Sequence, residues 1–283
     1  MKKVNAVIKA GAPHWVGNGF PVRSFFSYQQ GAERFSPFLL LDYAGPMNFP
    51  ADGRRRGVGE HPHRGFETVT LVYQGDVAHR DSAGNGGVIG PGDVQWMTAG
   101  AGILHEEFHS PEFAQKGGQL QMVQLWVNLP AKDKMAPAGY QEITHGSIPK
   151  ATLNNGHLRV IAGQLGGLSG PAKTFSPLIV ADLRMSAGGR DWLTLPEGWS
   201  SSVVVLDGAV SINNSSASVG QLVLLDSRDE RVQIHAEQKS LLLILSGEPL
   251  NEPIVGHGPF VMNTQAEILQ AFNDLQSGQF GSL

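Results

Sequence analysis

Apolar residues in this chain come in short runs broken by glycine, proline and polar turns. Phe38-Leu39-Leu40-Leu41, following Pro37, reads as a buried strand, and Thr68 to Tyr73 reads as another. Gly84-Asn85-Gly86 marks a turn ahead of Val88-Ile89, and Gly92-Asp93 leads into a strand from Val94 to Met97. Between Leu120 and Leu129 the alternation is regular. Val123, Leu125, Val127 and Leu129 fall on one face, and Met122, Gln124, Trp126 and Asn128 on the other. A wholly apolar face packs on a core, so the mixed face is expected to look into a cavity.

Pro130 to Pro149 carries three prolines among polar residues and is the linker candidate. Beyond it the pattern recurs. Ser202 to Leu206 before Asp207-Gly208 resembles Val69 to Tyr73 before Gln74-Gly75, and Val219-Gly220-Gln221-Leu222 resembles Pro91-Gly92-Asp93-Val94. The chain therefore divides into two similar halves, residues 1–135 and 136–283. Near the end, Thr264-Gln265-Ala266-Glu267 has the form of a capping box. Ile268, Leu269, Phe272 and Leu275 follow at helical spacing, and Gly278 is the stop. One short C-terminal helix on an otherwise all-β chain is the expectation.

Composition agrees with this and narrows the chemistry. The 283 residues include 36 glycines and 17 prolines, are 41% hydrophobic and only 16% charged, and suit many short strands joined by tight turns. A net charge of -4 gives no general attraction for nucleic acid. Cysteine is absent, which excludes disulfides and thiolate chemistry and restricts any metal to nitrogen and oxygen donors. The N-terminus lacks the apolar core of a signal peptide, and no apolar run of about 18 residues occurs. A soluble, cytoplasmic protein is expected, with no membrane partner.

Within the first half, two clusters carry chemistry. His61-Pro62-His63 and His105-Glu106-Glu107 lie on segments that read as strands, where side chains repeat every second residue. His61 and His63 then share one face, and His105 and Glu107 share another. Three imidazoles and one carboxylate form a donor set for a divalent transition ion that leaves positions open for a substrate. Proline between the first pair limits backbone freedom, and Gly100 and Gly102 permit a close turn ahead of His105. Aligning Gly208 with Gly75 sets Thr194 and Pro196 opposite His61 and His63, and aligning Gly220 with Gly92 sets Gln233 opposite His105. The second half therefore keeps the strands and lacks the ligands.

Other signals point elsewhere. His105-Glu106-Glu107-Phe108-His109 formally matches the zinc-protease pattern H-E-x-x-H, but that pattern needs a helix, which Gly100-Ala101-Gly102 and Ser110-Pro111 leave no room for. Arg54-Arg55-Arg56 reads as a solvated loop; His79, near a strand end, reads as an ordinary, partly exposed histidine ahead of a cavity-lining one, and Trp96, Met97 and Trp126 as core ahead of cavity wall.

His61-Pro62-His63-Arg64-Gly65-Phe66-Glu67-Thr68, Pro91 through Gly100 and Gly102-Ile103-Leu104-His105 resemble the signature segments of the pirin family in the cupin superfamily. The likeness is strongest over residues 15–130 and continues through Pro253 to Met262. It implies two tandem cupin domains of jelly-roll-like β-barrel form. In the first, His61, His63, His105 and Glu107 would bind one metal, and the site would be lost from the second. Glu67 stands where a general cupin has its glutamate ligand; in pirins the carboxylate follows the last histidine by two, so Glu107 is expected to be the ligand and Glu67 either to support the ligands from outside the donor set or to be structural. The resemblance implies quercetin 2,3-dioxygenase activity on a small aromatic substrate with O2, with Fe(II) first among Mn, Co, Ni, Cu and Zn and with Glu107 as catalytic base. The alternatives are a metal-containing, redox-sensitive regulator acting through protein partners, which the family also includes, and an enzyme acting on another enolisable molecule.

Overall fold

A computed structural model describes residues 1–283, and the chain forms two compact units. One comprises Ala12–Ala32, Phe38–His145 and Asn251–Leu283. The other comprises Met1–Gly11, Glu33–Pro37 and Gly146–Leu250. A single cut at 135/136 therefore does not reproduce the units. The C-terminal segment belongs to the unit built by the first half. The N-terminal strand Val4–Lys9 pairs antiparallel with Gln221–Leu225 at the edge of the unit built by the second. Pairing between the ends of a chain leaves no local trace in sequence, which is why periodicity did not show it. Nor is Pro130 to Pro149 a loop throughout: Gly139–Ile143 is an edge strand, paired with Val94–Thr98.

Each unit pairs a seven-stranded with a four-stranded antiparallel sheet, so the all-β expectation holds. In the first-half unit the large sheet runs Gly139–Ile143, Val94–Thr98, Phe66–Gln74, Gly118–Asn128, Phe38–Phe49, Phe20–Ser27, His14–Val16, and the small one Gly57–His63, Ile103–His109, Val77–Asp81, Gly86–Ile89. The second-half unit has the same plan, its small sheet running Arg190–Thr194, Arg231–Ala236, Ala209–Ile212, Ser215–Ser218.

Strand register corrects the alignment of the two halves. In the first-half unit His105 faces His61, Glu107 faces His79, and His109 faces Val77. In the second, Val232 faces Leu193, Ile234 faces Ile212, and Ala236 faces Val210. The counterparts of His61, His79, His105 and Glu107 are thus Leu193, Ile212, Val232 and Ile234, all in the hydrophobic core, rather than Thr194 and Gln233. A slip of one residue moves every side chain to the other face. The corrected register strengthens the conclusion, since aliphatic packing fills the positions that carry donors in the first unit.

The C-terminal segment is fastened beside the first cluster. Thr264 caps the helix Gln265–Gln276 by accepting from the Glu267 N–H, and Ile268 and Ala271 are buried while Leu269 is exposed. Arg64, next to His63, donates to Asp274 Oδ2 at 2.7 Å and to the Ala101 carbonyl at 2.6 Å, and its guanidinium lies over Phe280. Lys134 Nζ donates to the Gly65 and Val261 carbonyls and to Asn128 Oδ1, three acceptors for three donors. Gly65 has φ +87°, and a Cβ there would sit 2.0 Å from the Val261 oxygen. Removing one partner of a buried pair strands the other charge. Arg64→Met is therefore expected to lower Tm and to speed proteolysis within residues 251–283; unchanged Tm and cleavage would show that the pair does not fasten the segment.

Candidate metal centre

Alternation along two neighbouring strands delivers the donors. His61 and His63 lie on Gly57–His63, His105 and Glu107 on the adjacent Ile103–His109, and His61 pairs directly with His105. The donor atoms of His61, His63 and His105 lie within 4.8 Å of one another, and the ring of His105 is centred 4.2 Å from His61 and 4.8 Å from His63. Glu107 falls outside that trio. Its carboxylate groups with His105 and His79, again within 4.8 Å, so His105 is common to two overlapping sets. Glu106, between them in sequence, points the other way and accepts from Arg55 at 2.7 Å and Arg80 at 2.5 Å.

The environment keeps the imidazoles neutral, the form that offers a lone pair to a cation. Burial pushes His61 below its usual range, against the Gly59 carbonyl bonded to its Nδ1 at 2.8 Å. That carbonyl can only accept, so Nδ1 carries the hydrogen and Nε2 is free. Burial, then the neighbouring His61, holds His63 well below normal; burial, then His63 and His61, does the same for His105. His105 Nε2 is buried without a hydrogen-bond partner. A buried orphan nitrogen is costly unless something unseen by a protein-only count satisfies it, and a metal ion beside two further imidazoles does so. The residues present fit a divalent transition ion.

Glu107 is buried, and burial pushes its carboxyl up to about 7 against the stabilising Thr70 hydroxyl, 3.2 Å from Oε1. His61, His63 and Glu107 line one cavity of about 340 Å³ with Phe20, Val22, Met122, Gln124 and Trp126. The mixed face of strand Gly118–Asn128 therefore does look into a cavity. Trp126 stacks on Phe66 at 4.2 Å between centroids and meets His63 edge-on at 5.3 Å, so it forms cavity wall as well as core.

Glu67 lies on the opposite face of its strand from Thr70, alongside Trp96 and Thr98, and accepts from the Thr98 hydroxyl at 2.8 Å. Neither cluster of candidate donors includes it. Burial raises it to about 7. A carboxyl whose folded pKa exceeds its unfolded value of about 4.3 favours folding at low pH, and that contribution disappears as pH rises through 7. Glu67→Gln is therefore expected to gain up to about 3 kcal/mol over the native chain at pH 8 and little at pH 4.5. Denaturant titrations at the two pH values check this, and equal stability at pH 8 would contradict it.

One of two further histidines differs from its sequence reading. His109 lies on a strand, as the rejection of the helical protease pattern required, and its Nε2 meets the Gly19 carbonyl at 2.9 Å among Phe20, Phe49 and Phe113. His79, expected to be partly exposed, is buried; its Nδ1 lies 3.4 Å from His105 Nδ1, and its ring stacks on Tyr140. The alternation Val77, His79, Asp81 facing inward was the available signal.

Comparison with known proteins identifies the relatives of this arrangement. The family model described as Pirin matches residues 19–127, and that described as Pirin C-terminal cupin domain matches residues 180–281. A Pseudomonas aeruginosa protein provisionally named a quercetin 2,3-dioxygenase is 55% identical over 282 residues, covering 99% of each chain. Human pirin is 37% identical over 88% of this chain and 84% of its own. A crystal structure named quercetin 2,3-dioxygenase from Acinetobacter baumannii superimposes with a TM-score of 0.97 at 53% identity, covering 100% of this chain and 99% of that one. No helix here is long and apolar enough to cross a membrane.

Proposed function

Because this chain belongs to the pirin family, we propose that it is a metal-dependent dioxygenase that opens quercetin-like flavonols with O2, its metal held by His61, His63, His105 and Glu107. The observation that carries the proposal is the trio of neutral imidazoles, those of His63 and His105 buried, with the buried carboxylate of Glu107 beside His105 and with His61, His63 and Glu107 on the wall of an apolar cavity. An ion bound there supplies Lewis-acid activation of the flavonol 3-hydroxyl and open positions for ring opening by O2. Fe(II) is the first choice by family likeness, and nitrogen and oxygen donors also accept Mn, Co, Ni, Cu or Zn.

The chain's own groups do the rest. Glu107 receives the proton of the 3-hydroxyl, its carboxylate lying on the cavity wall beside the imidazole donors. Thr70 holds that carboxylate, its hydroxyl shared with Gln124 Oε1 at 2.8 Å. Phe20, Val22, Met122 and Trp126 supply flat and apolar walls that seat aromatic rings and keep water from the reacting carbons. A cavity of about 340 Å³ lies within the usual range of about 300–1,000 Å³ for small-molecule sites.

Oxygen-electrode assays of metal-replete protein test the reading. Quercetin is expected to drive O2 uptake with matching loss of flavonol absorbance. Absence of uptake with any flavonol, at full metal occupancy, would instead favour the regulatory role through protein partners.

A further inference from the structure

We infer that His79 and Asp81 are positioning residues that fix the tautomer of His105, so that its Nε2 lone pair is presented to the metal. The inference rests on the metal-site reading above and assigns work to two buried residues that the proposed ligand set leaves idle. Register places them: on the inward face of strand Val77–Asp81, Asp81 pairs with His105 and His79 with Glu107. The side chains of His79 and Asp81 are fully enclosed.

The hydrogens can be traced from one end. Asp81 Oδ1 accepts from the backbone N–H groups of Ala83 and Asn85, both at 3.0 Å, and Asn85 Nδ2 reaches both carboxylate oxygens at 3.2 Å. These contacts hold the carboxylate as an acceptor in one orientation. Its Oδ2 lies 3.3 Å from His79 Nε2, which must therefore carry a hydrogen. In a neutral imidazole the other nitrogen is then an acceptor. His79 Nδ1 faces His105 Nδ1 at 3.4 Å, so the hydrogen between them sits on His105. That leaves His105 Nε2 as a lone pair, and this is the nitrogen found buried without a partner. Stacking of Tyr140 on His79, with rings 10° from parallel, limits rotation of the middle member. Metal-bound histidines commonly gain orientation and basicity from one such outer partner. Here two are in series, and the terminal carboxylate sets the direction of both hydrogens.

Asp81→Asn tests the chain with little change of shape. The amide oxygen can keep the Ala83 and Asn85 bonds, while its NH2 faces His79 Nε2 and inverts each hydrogen in turn, placing one on His105 Nε2. Titration of metal-free protein with Co(II), followed by visible absorption against a competing chelator, reads the effect without any turnover. Asp81→Asn and His79→Leu are each expected to weaken Co(II) binding about 10- to 100-fold. His79→Gln, whose amide can accept from His105 and donate to Asp81, should stay within about threefold of native. At saturation, the spectra of all three should match the native spectrum, because His79 is not a ligand. Unchanged affinity in both Asp81→Asn and His79→Leu would overturn the inference. So would an altered saturated spectrum in His79→Leu, which would place His79 in the coordination sphere through the His79, His105 and Glu107 set. Should the native chain itself fail to bind Co(II), the metal-site reading fails first; native binding with indifferent variants defeats only the relay.

Discussion

His63→Ala is expected to yield a folded protein that no longer retains metal through purification. Apparent binding free energies of about 10–16 kcal/mol for four-donor metal sites assign about 3 kcal/mol to each donor, so one lost imidazole weakens binding by roughly two orders of magnitude or more. Turnover should fall with occupancy. The fold should not suffer in proportion. His63 is buried at the edge of an existing cavity, and in the metal-free state burial of imidazoles is a cost that the alanine variant avoids. Metal-free native and variant proteins should therefore melt at similar temperatures, while added metal raises Tm of the native chain alone. Elemental analysis of the two proteins purified side by side decides the matter; equal metal content would remove His63 from the ligand set.

Replacing Glu107 separates binding from chemistry. Glu107→Gln keeps the side-chain volume and an oxygen for the Thr70 hydroxyl, but it can neither take a proton nor balance charge. Some metal should remain on the three imidazoles, while kcat normalised to bound metal drops by about 10²–10⁴, the usual contribution of a positioned base. Glu107→Ala should behave alike, with a further loss of metal. A Glu107→Gln enzyme that turns over at the native rate per metal would assign the proton transfer to another group.

Much of this site was legible in the sequence because strands encode facing directly. His-x-His and His-x-Glu at a spacing of two, together with mixed polarity on one face of Leu120 to Leu129, picked out the clustered imidazoles, the carboxylate beside them and the strand face that lines the cavity. Thr264 and Glu267 marked the terminal helix for an equally local reason, a cap that satisfies free N–H groups. Two kinds of information were missing. Pairing of Val4–Lys9 with Gln221–Leu225, and the grip of Arg64 on Asp274, depend on contacts across most of the chain, which periodicity does not report. The counterparts in the second half slipped by one residue because glycine turns were matched while the segments beyond them differ in length: Gly92 to His105 is 13 positions against 12 from Gly220 to Val232, and His61 to Gly75 is 14 against 15 from Leu193 to Gly208. His79 had a readable signal, inward alternation with Val77 and Asp81, but a single histidine at strand spacing from an aspartate does not announce a role until His105 is seen against it.

The central claim is that one cation is held by residues from two adjacent strands of the first-half unit. Anomalous diffraction from crystals of the metal-loaded protein, recorded at the absorption edge of the bound element, tests it most directly. The prediction is a single strong peak with His61, His63, His105 and Glu107 as its protein ligands. A peak among other residues, or none at full loading, would contradict it.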